Sequence, residues 1–172
     1  NPTEHMSVNF WNENCQSSSS KKLFGLCDDP APSNAPAYID EENGAKWIGV
    51  VANENLYEVT FTAIDHCVNI QSTDNNQVKR CDGLLTYEQT AVFVELKERS
   101  AMGSQWVKDA EQQLRSTIHY FELNDDADDY KVKKAYIANS GHPKFKASQA
   151  ARMARFLSDT GYVLRIENRI IL

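Results

Sequence analysis

Alternating apolar and polar positions dominate the middle of the chain. From residue 46 onward, stretches rich in Val, Ile, Phe and Tyr are separated by the polar segments NEN, QSTDNNQ and EQ. Such stretches, bounded by polar turn residues, are typical of β-strands joined by short connections. The pattern predicts four antiparallel strands in a meander, at 46–52, 56–70, 78–87 and 90–99.

The spacing of apolar residues changes after residue 103. An amphipathic helix is predicted to open at Gly103-Ser104, and its apolar positions recur at helical spacing: Trp106, Ala110, Leu114, Thr117 and Phe121. A short buried strand follows at 132–140, then a second helix at 147–159 that stops before Gly161, then closing strand material. Because a strand–helix–strand crossover makes parallel neighbours, we expect an α/β (α+β mixed) fold, with a central mixed sheet and helices packed on its faces.

A length of 172 residues suits one domain. His5-Met6 resembles a cloning junction before an initiator methionine, so residues 1–5 are interpreted as a tag remnant. Serines and prolines between 6 and 45 predict an irregular lead-in with one short helix around 20–27. Residues 46–172 are expected to form the single folded domain.

Composition narrows the class of protein. No apolar run approaches the roughly 18 residues of a membrane span, and no secretory signal is recognisable, so a cytoplasmic protein without a membrane partner is expected. The four cysteines show no CxxC spacing, which predicts reduced thiols rather than a zinc site.

Charge is distributed unevenly along the chain. The net charge is −6, but residues 141–172 carry a balance of +4, which leaves −10 on the first 140. A basic end on an acidic body could present one face to phosphate, or it could simply be a solvated surface.

Charged residues interrupt the apolar stretch CDGLLTYEQTAVFVELKER at 81–99. If Glu88-Gln89 forms a two-residue hairpin turn, each pair of opposed residues sums to 177 in number. Asp82 then lies across from Glu95, and Lys97 shares the face of Glu95 because side chains alternate along a strand.

Opposed carboxylates on neighbouring strands repel each other and destabilise a sheet, so a compensating positive charge is expected. Mg²⁺, with Mn²⁺ as a substitute, prefers hard oxygen ligands and commonly takes one or two carboxylates. Asp82 and Glu95 are therefore the candidate metal ligands, and Lys97 is placed to stabilise charge that develops on a phosphodiester. The alternative interpretation is an exposed edge-strand salt bridge.

An Asp-Gly on one strand, followed after twelve residues by Glu-Leu-Lys on the next, resembles the signature of the PD-(D/E)xK nuclease superfamily, which has the restriction-endonuclease-like fold. The resemblance extends over roughly residues 46–140, through the following helix and buried strand. It implies that Asp82 and Glu95 bind metal, that Lys97 is the catalytic lysine, and that Gln113 on the helix assists.

Two features depart from the family's pattern. Cys81 stands where the family usually has proline, and many members carry a further acid upstream. Three residues are candidates for that acid: Glu41, Glu42 and Glu58.

Weaker candidates for contact with nucleic acid lie outside this motif. His66 would share the catalytic face if Cys67 pairs with Cys81. His142, Lys144 and Lys146 lie in a loop able to touch phosphate, although solvated loop charges are the ordinary alternative.

The resemblance implies a Mg²⁺-dependent phosphodiester hydrolase that acts on nucleic acid, a DNA endonuclease above all, and a homodimer would allow both strands to be cut. Two alternatives stay open: a noncatalytic nucleic-acid-binding module on the same fold, and an immunity or assembly protein whose acidic body binds a basic partner.

Overall fold

The computed structural model describes residues 8–72, 78–98, 105–140 and 149–172. The strands are β1 Gln16–Ser19, β2 Leu23–Cys27, β3 Tyr38–Asp40, β4 Gly49–Ala52, β5 Val59–Ala63, β6 Gly83–Tyr87, β7 Thr90–Lys97, β8 Val132–Asn139, β9 Val163–Ile166 and β10 Arg169–Ile171. The helices are α1 Gln105–Glu122 and α2 Ala150–Thr160, and short 3₁₀ turns occupy Glu13–Cys15, Gly44–Lys46 and Asp125–Asp129. No helix in these ranges is long and apolar enough to cross a membrane.

Two sheets form the β-structure. The larger has six strands in the order β1-β5-β6-β7-β8-β9, antiparallel as far as β7 and parallel from β7 to β9. The smaller has four strands in the order β10-β4-β2-β3. The predicted α/β (α+β mixed) class and mixed central sheet are therefore confirmed.

The predicted hairpin register is confirmed. Tyr87 pairs with Thr90 and Gly83 with Val94, so the two-residue turn lies at Glu88-Gln89. Glu88 adopts φ of 49°, the left-handed backbone that such tight turns require. Since the register fixes which residues share a face, this turn determines the geometry of the charged residues between 80 and 97.

The two faces of the larger sheet are covered differently. On one face, side chains of β7 and β8 pack against Leu114 and Phe121 of α1 and Phe156 of α2. On the other face, Leu85, Val92 and Val94 pack against the smaller sheet through residues such as Phe24. The expectation of helices on its faces was wrong for this second face, where a sheet takes their place.

The predicted first strand of the meander also belongs elsewhere. β4 does form, but it pairs with β2 and β10 in the smaller sheet rather than with β5. A local apolar pattern predicts a strand and does not specify its partner.

The N-terminal segment is better ordered than its composition predicts. The serine run forms β1 and pairs with β5, while β2 and β3 build the smaller sheet, so the irregular lead-in and the helix around 20–27 were wrong. Strand pairing uses backbone groups, which serines supply as well as valines do. β2 has glycine at position 25 because the Trp47 indole lies directly on that backbone, where a Cβ would overlap the ring.

A disulfide joins Cys15, just before β1, to Cys67, in the turn after β5, across 52 residues of sequence. Cys27 and Cys81 are free and buried. The prediction of four reduced thiols was wrong for this pair, because the β1–β5 pairing brings two distant cysteines together.

Removal of this cross-link is expected to destabilise the fold. A Cys15→Ser/Cys67→Ser double variant should lose about 2–4 kcal/mol of unfolding free energy, since the disulfide restricts the unfolded chain. Thermal melting measures the loss, and wild type in reductant should melt at the temperature of the double variant. A melting temperature of the wild type that does not change with reductant would refute a stabilising Cys15–Cys67 disulfide.

Candidate active site

A pair of buried carboxyl groups lies where β6 begins and β7 ends. Asp82 immediately precedes β6 and is 8% exposed, while Glu95 lies in β7 and is 2% exposed. The Asp82 amide donates to Glu95 Oε1 at 3.1 Å, and the Leu96 amide donates to Asp82 Oδ2 at 2.8 Å. Each of the two carboxyl groups also acts on the pKa of the other. The hairpin thus holds the two acids next to each other through backbone amides.

Lys97 lies beside this pair. Its Nζ is 3.1 Å from Glu95 Oε2, and it donates to Gln113 Oε1 of α1 at 3.2 Å. Gln113 in turn donates from Nε2 to the Arg80 carbonyl oxygen at 3.4 Å. The structure therefore brings together the four residues proposed from the sequence as catalytic: Asp82, Glu95, Lys97 and Gln113.

Burial perturbs the protonation of the acid pair. Desolvation, followed by the charge of Asp82, raises the pKa of Glu95 well above its usual range. Burial also raises the pKa of Asp82, although its hydrogen bonds to Glu95 and to the Leu96 amide oppose the change. Two carboxyls this close cannot easily both ionise without a cation, so we expect them to share a proton when no cation is bound.

Two further acids act on this pair, and the sequence analysis missed both. Asp28 follows β2 directly, and burial, then the charges of Asp82 and Asp65, raises its pKa to about 6. The charge of Asp65, in the turn after β5, also acts on Asp82. The signal for Asp28 was its place at the end of the apolar run LFGLC, had that run been interpreted as a strand.

The upstream acids proposed from the sequence lie in other environments. Glu41 accepts a hydrogen bond from Ser19 Oγ at 2.8 Å, while Glu42 and Glu58 are exposed. Asp28, rather than these three, is the N-terminal acid whose charge couples to Asp82.

The predicted strand at 56–70 ends early. β5 stops at Ala63, and the Ile64 amide donates to the Asp82 carbonyl, so Cys67 does not pair with Cys81. His66 lies in the following turn with φ of 66°, its Nε2 3.5 Å from Asp65 Oδ2. It is half-exposed, and when protonated it lowers the pKa of Asp28. The other candidates for nucleic-acid contact, His142, Lys144 and Lys146, lie outside the described residues.

The sum of 177 would place Arg80 opposite Lys97 and Cys81 opposite Leu96, but both residues precede the start of β6. Arg80 donates to the Val68 and Ile70 carbonyl oxygens at 2.9 and 3.4 Å. Cys81 belongs to the cluster on the helix side, and its amide donates to Thr117 Oγ1 at 2.8 Å. The pairing of Cys81 with Leu96 fails because β6 begins only at Gly83.

A buried amide that the sequence analysis did not single out lies next to Lys97. Asn139, at the end of β8, is in register with Lys97 and is 3% exposed. Alternation places it on the face of Ile137, which packs on the helix side. The ends of β7 and β8 thus both place polar side chains at the same end of the sheet.

The donor set suits a hard cation. Within the described ranges, no group of three or more His, Cys, Asp or Glu side chains is arranged to hold a metal ion. Magnesium needs fewer protein ligands, because it commonly binds one or two carboxylates and keeps water and substrate oxygens in its other positions. Asp82 and Glu95 fit that requirement, since a cation would compensate their buried charge.

Comparison with protein-family models, with curated proteins and with solved structures gave no match for the chain. The likeness to PD-(D/E)xK nucleases therefore depends on the residues and their arrangement.

Neutralising one acid is expected to stabilise the metal-free protein at neutral pH. A raised carboxyl pKa means that the unfolded chain loses its proton first, so stability falls as pH rises from about 4 toward the folded-state pKa. Asp82→Asn keeps an oxygen for the Leu96 amide and leaves Lys97 paired with Glu95. In EDTA at pH 7 it should gain on the order of 1 kcal/mol, or about 2–4 °C in melting temperature.

The gain should shrink as pH falls through about 4, because the acids then become protonated in the unfolded chain as well. Asp126→Asn, at an exposed aspartate, is the matched control and should not shift the melting temperature. An Asp82→Asn variant less stable than wild type at pH 7 would contradict the repulsion inferred here.

Proposed function

We propose that this protein is a Mg²⁺-dependent phosphodiester hydrolase that acts on nucleic acid, specifically a DNA endonuclease. The observation that carries the proposal is a pair of buried acids, joined by the hydrogen bond from the Asp82 amide to Glu95, with the Lys97 ammonium 3.1 Å from Glu95. An ordinary exposed salt bridge does not describe this arrangement, because Asp82 and Glu95 are both buried beside one lysine, and buried charge is costly.

Each residue has a chemical role in this proposal. Asp82 and Glu95 would hold Mg²⁺, or Mn²⁺ in its place. When bound, the ion would supply Lewis-acid polarisation of the phosphodiester and help to ionise the attacking water. Lys97 donates hydrogen bonds toward the phosphoryl oxygens, where negative charge develops as water attacks. Gln113 holds the Lys97 ammonium in position from α1.

Membership of the PD-(D/E)xK superfamily is part of the proposal. An antiparallel β5-β6-β7 meander followed by α1 and then β8 parallel to β7 supports it, because this order places acid, ExK motif and helix glutamine at one site. Cys81 in place of proline and the smaller second sheet are departures from that pattern.

The proposed partner is DNA, and a homodimer would cut both strands of a duplex because the described part of each chain carries one such site. We also propose that the protein is cytoplasmic. The Cys15–Cys67 disulfide does not favour it, because disulfides are typical of oxidising compartments.

Incubation with supercoiled plasmid tests this function. With Mg²⁺ or Mn²⁺ we expect nicked or linear product, and with EDTA none. Asp82→Asn should be inactive at the same protein concentration. Plasmid binding without cleavage under all metal conditions would instead support the noncatalytic module. The absence of both binding and cleavage would reject a role with nucleic acid.

A further inference from the structure

An open cavity of about 270 Å³ lies beside the candidate active site. It is lined by Asp65, Val78, Lys79, Arg80, Asp109 and Gln113. Gln113 belongs to both places, since its Oε1 accepts from Lys97 and its side chain also lines the cavity. A group that occupies the cavity therefore lies next to the atoms that would act on the phosphodiester.

The lining is polar and of mixed charge. Two carboxylates, Asp65 and Asp109, lie with two cations, Lys79 and Arg80, and with the Gln113 amide. Such a set offers both hydrogen-bond donors and acceptors, as the edge of a nucleobase requires, whereas a phosphate alone would favour donors only.

The two cations are held differently. Arg80 is fixed by the Val68 and Ile70 carbonyl oxygens, and its side chain is only 10% exposed, so it forms part of the wall. Lys79 is exposed and donates to Gln112 Oε1 at 3.0 Å, across to α1. Lys79 is therefore the cation able to reach a phosphate at the rim.

The volume and the concave form of the cavity also restrict which ligand can bind. Its volume falls just below the roughly 300–1,000 Å³ of pockets for drug-sized ligands, which suits a single nucleotide unit. A base stacked and paired in a duplex cannot enter a concave pocket, whereas an unpaired base can.

We propose that this cavity takes one nucleotide of a single strand, adjacent to the scissile phosphate, and that Lys79 contacts the phosphate of that nucleotide. The proposal rests on the proposed nuclease function and specifies its substrate as single-stranded or locally unpaired DNA. The polar lining reads the edge of the base, and the sugar–phosphate leads from the rim toward Lys97.

Filling the cavity tests the proposal. Asp109 is exposed on α1, so Asp109→Trp should fold while its indole occupies the mouth of the cavity. Lys108→Trp, at the neighbouring exposed position that does not line the cavity, is the matched control. Steady-state cleavage of a short single-stranded oligonucleotide with Mn²⁺ is measured for both variants.

We expect Asp109→Trp to raise KM about tenfold, the scale of one lost base contact, with kcat unchanged, and Lys108→Trp to match wild type. Lys79→Ala should weaken binding of the same oligonucleotide and reduce the slope of log affinity against log salt by about 0.7, the value for one phosphate on a single strand. Lys22→Ala, at an exposed lysine paired with Glu54, should leave that slope unchanged.

The outcomes separate the two proposals. If wild type cleaves neither single-stranded nor duplex DNA, the proposed function fails and the pocket assignment fails with it. If wild type cleaves DNA but Asp109→Trp and Lys108→Trp show the same KM, or if only fully paired duplex is cleaved, the pocket assignment alone is overturned.

Discussion

Lys97→Met is expected to lower the rate of phosphodiester cleavage by about 10²–10³-fold, because it removes a donor from the position where negative charge develops. Methionine preserves most of the volume of the partly buried lysine stem, so the fold should persist. The loss should appear in the rate constant under single-turnover conditions with saturating Mg²⁺, where substrate binding is not limiting.

Lys108→Met, at an exposed lysine of α1, is the control for the loss of a positive charge and should keep the wild-type rate. A Lys97→Met protein that cleaves at the wild-type rate would show that Lys97 only neutralises Glu95. Circular dichroism of both variants should be unchanged from wild type.

Asp82→Asn is expected to abolish cleavage, with a loss of about 10³-fold or more, although it is also expected to be more stable than wild type at pH 7. Both effects have one cause, since the carboxylate that destabilises the pair in EDTA is the one that would bind the cation. Rate and melting temperature measured on the same preparations therefore separate a functional acid from a structural one.

The matched Asp126→Asn variant should change neither property, because that aspartate is exposed in a 3₁₀ turn. In addition, Mg²⁺ should raise the melting temperature of wild type but not of Asp82→Asn, since a ligand stabilises only the form that binds it. Loss of stability together with loss of activity would indicate a structural carboxylate.

The geometry of the acid pair could be predicted from the sequence because it depends on local rules. A two-residue turn sets the register of one hairpin, and alternation then assigns Glu95 and Lys97 to one face. Helical spacing likewise predicted α1, on which Gln113 lies, and most of the buried positions of that helix.

The parts that the sequence did not predict depend on contacts between distant segments. The serine run of β1 carries no alternation, and only its pairing with β5 makes it a strand. Four cysteines allow several pairings, so the Cys15–Cys67 bond could be identified only from the fold. Asp28 reaches Asp82 only because the smaller sheet places the end of β2 near the hairpin, and no spacing in the sequence encodes that approach.

The central claim is that Asp82 and Glu95 bind one divalent cation beside Lys97, and anomalous diffraction from crystals soaked in Mn²⁺ tests it most directly. The account predicts a single strong peak within about 2.0–2.4 Å of a carboxylate oxygen of each acid. Crystals that show no peak beside these two acids at saturating Mn²⁺ would contradict it.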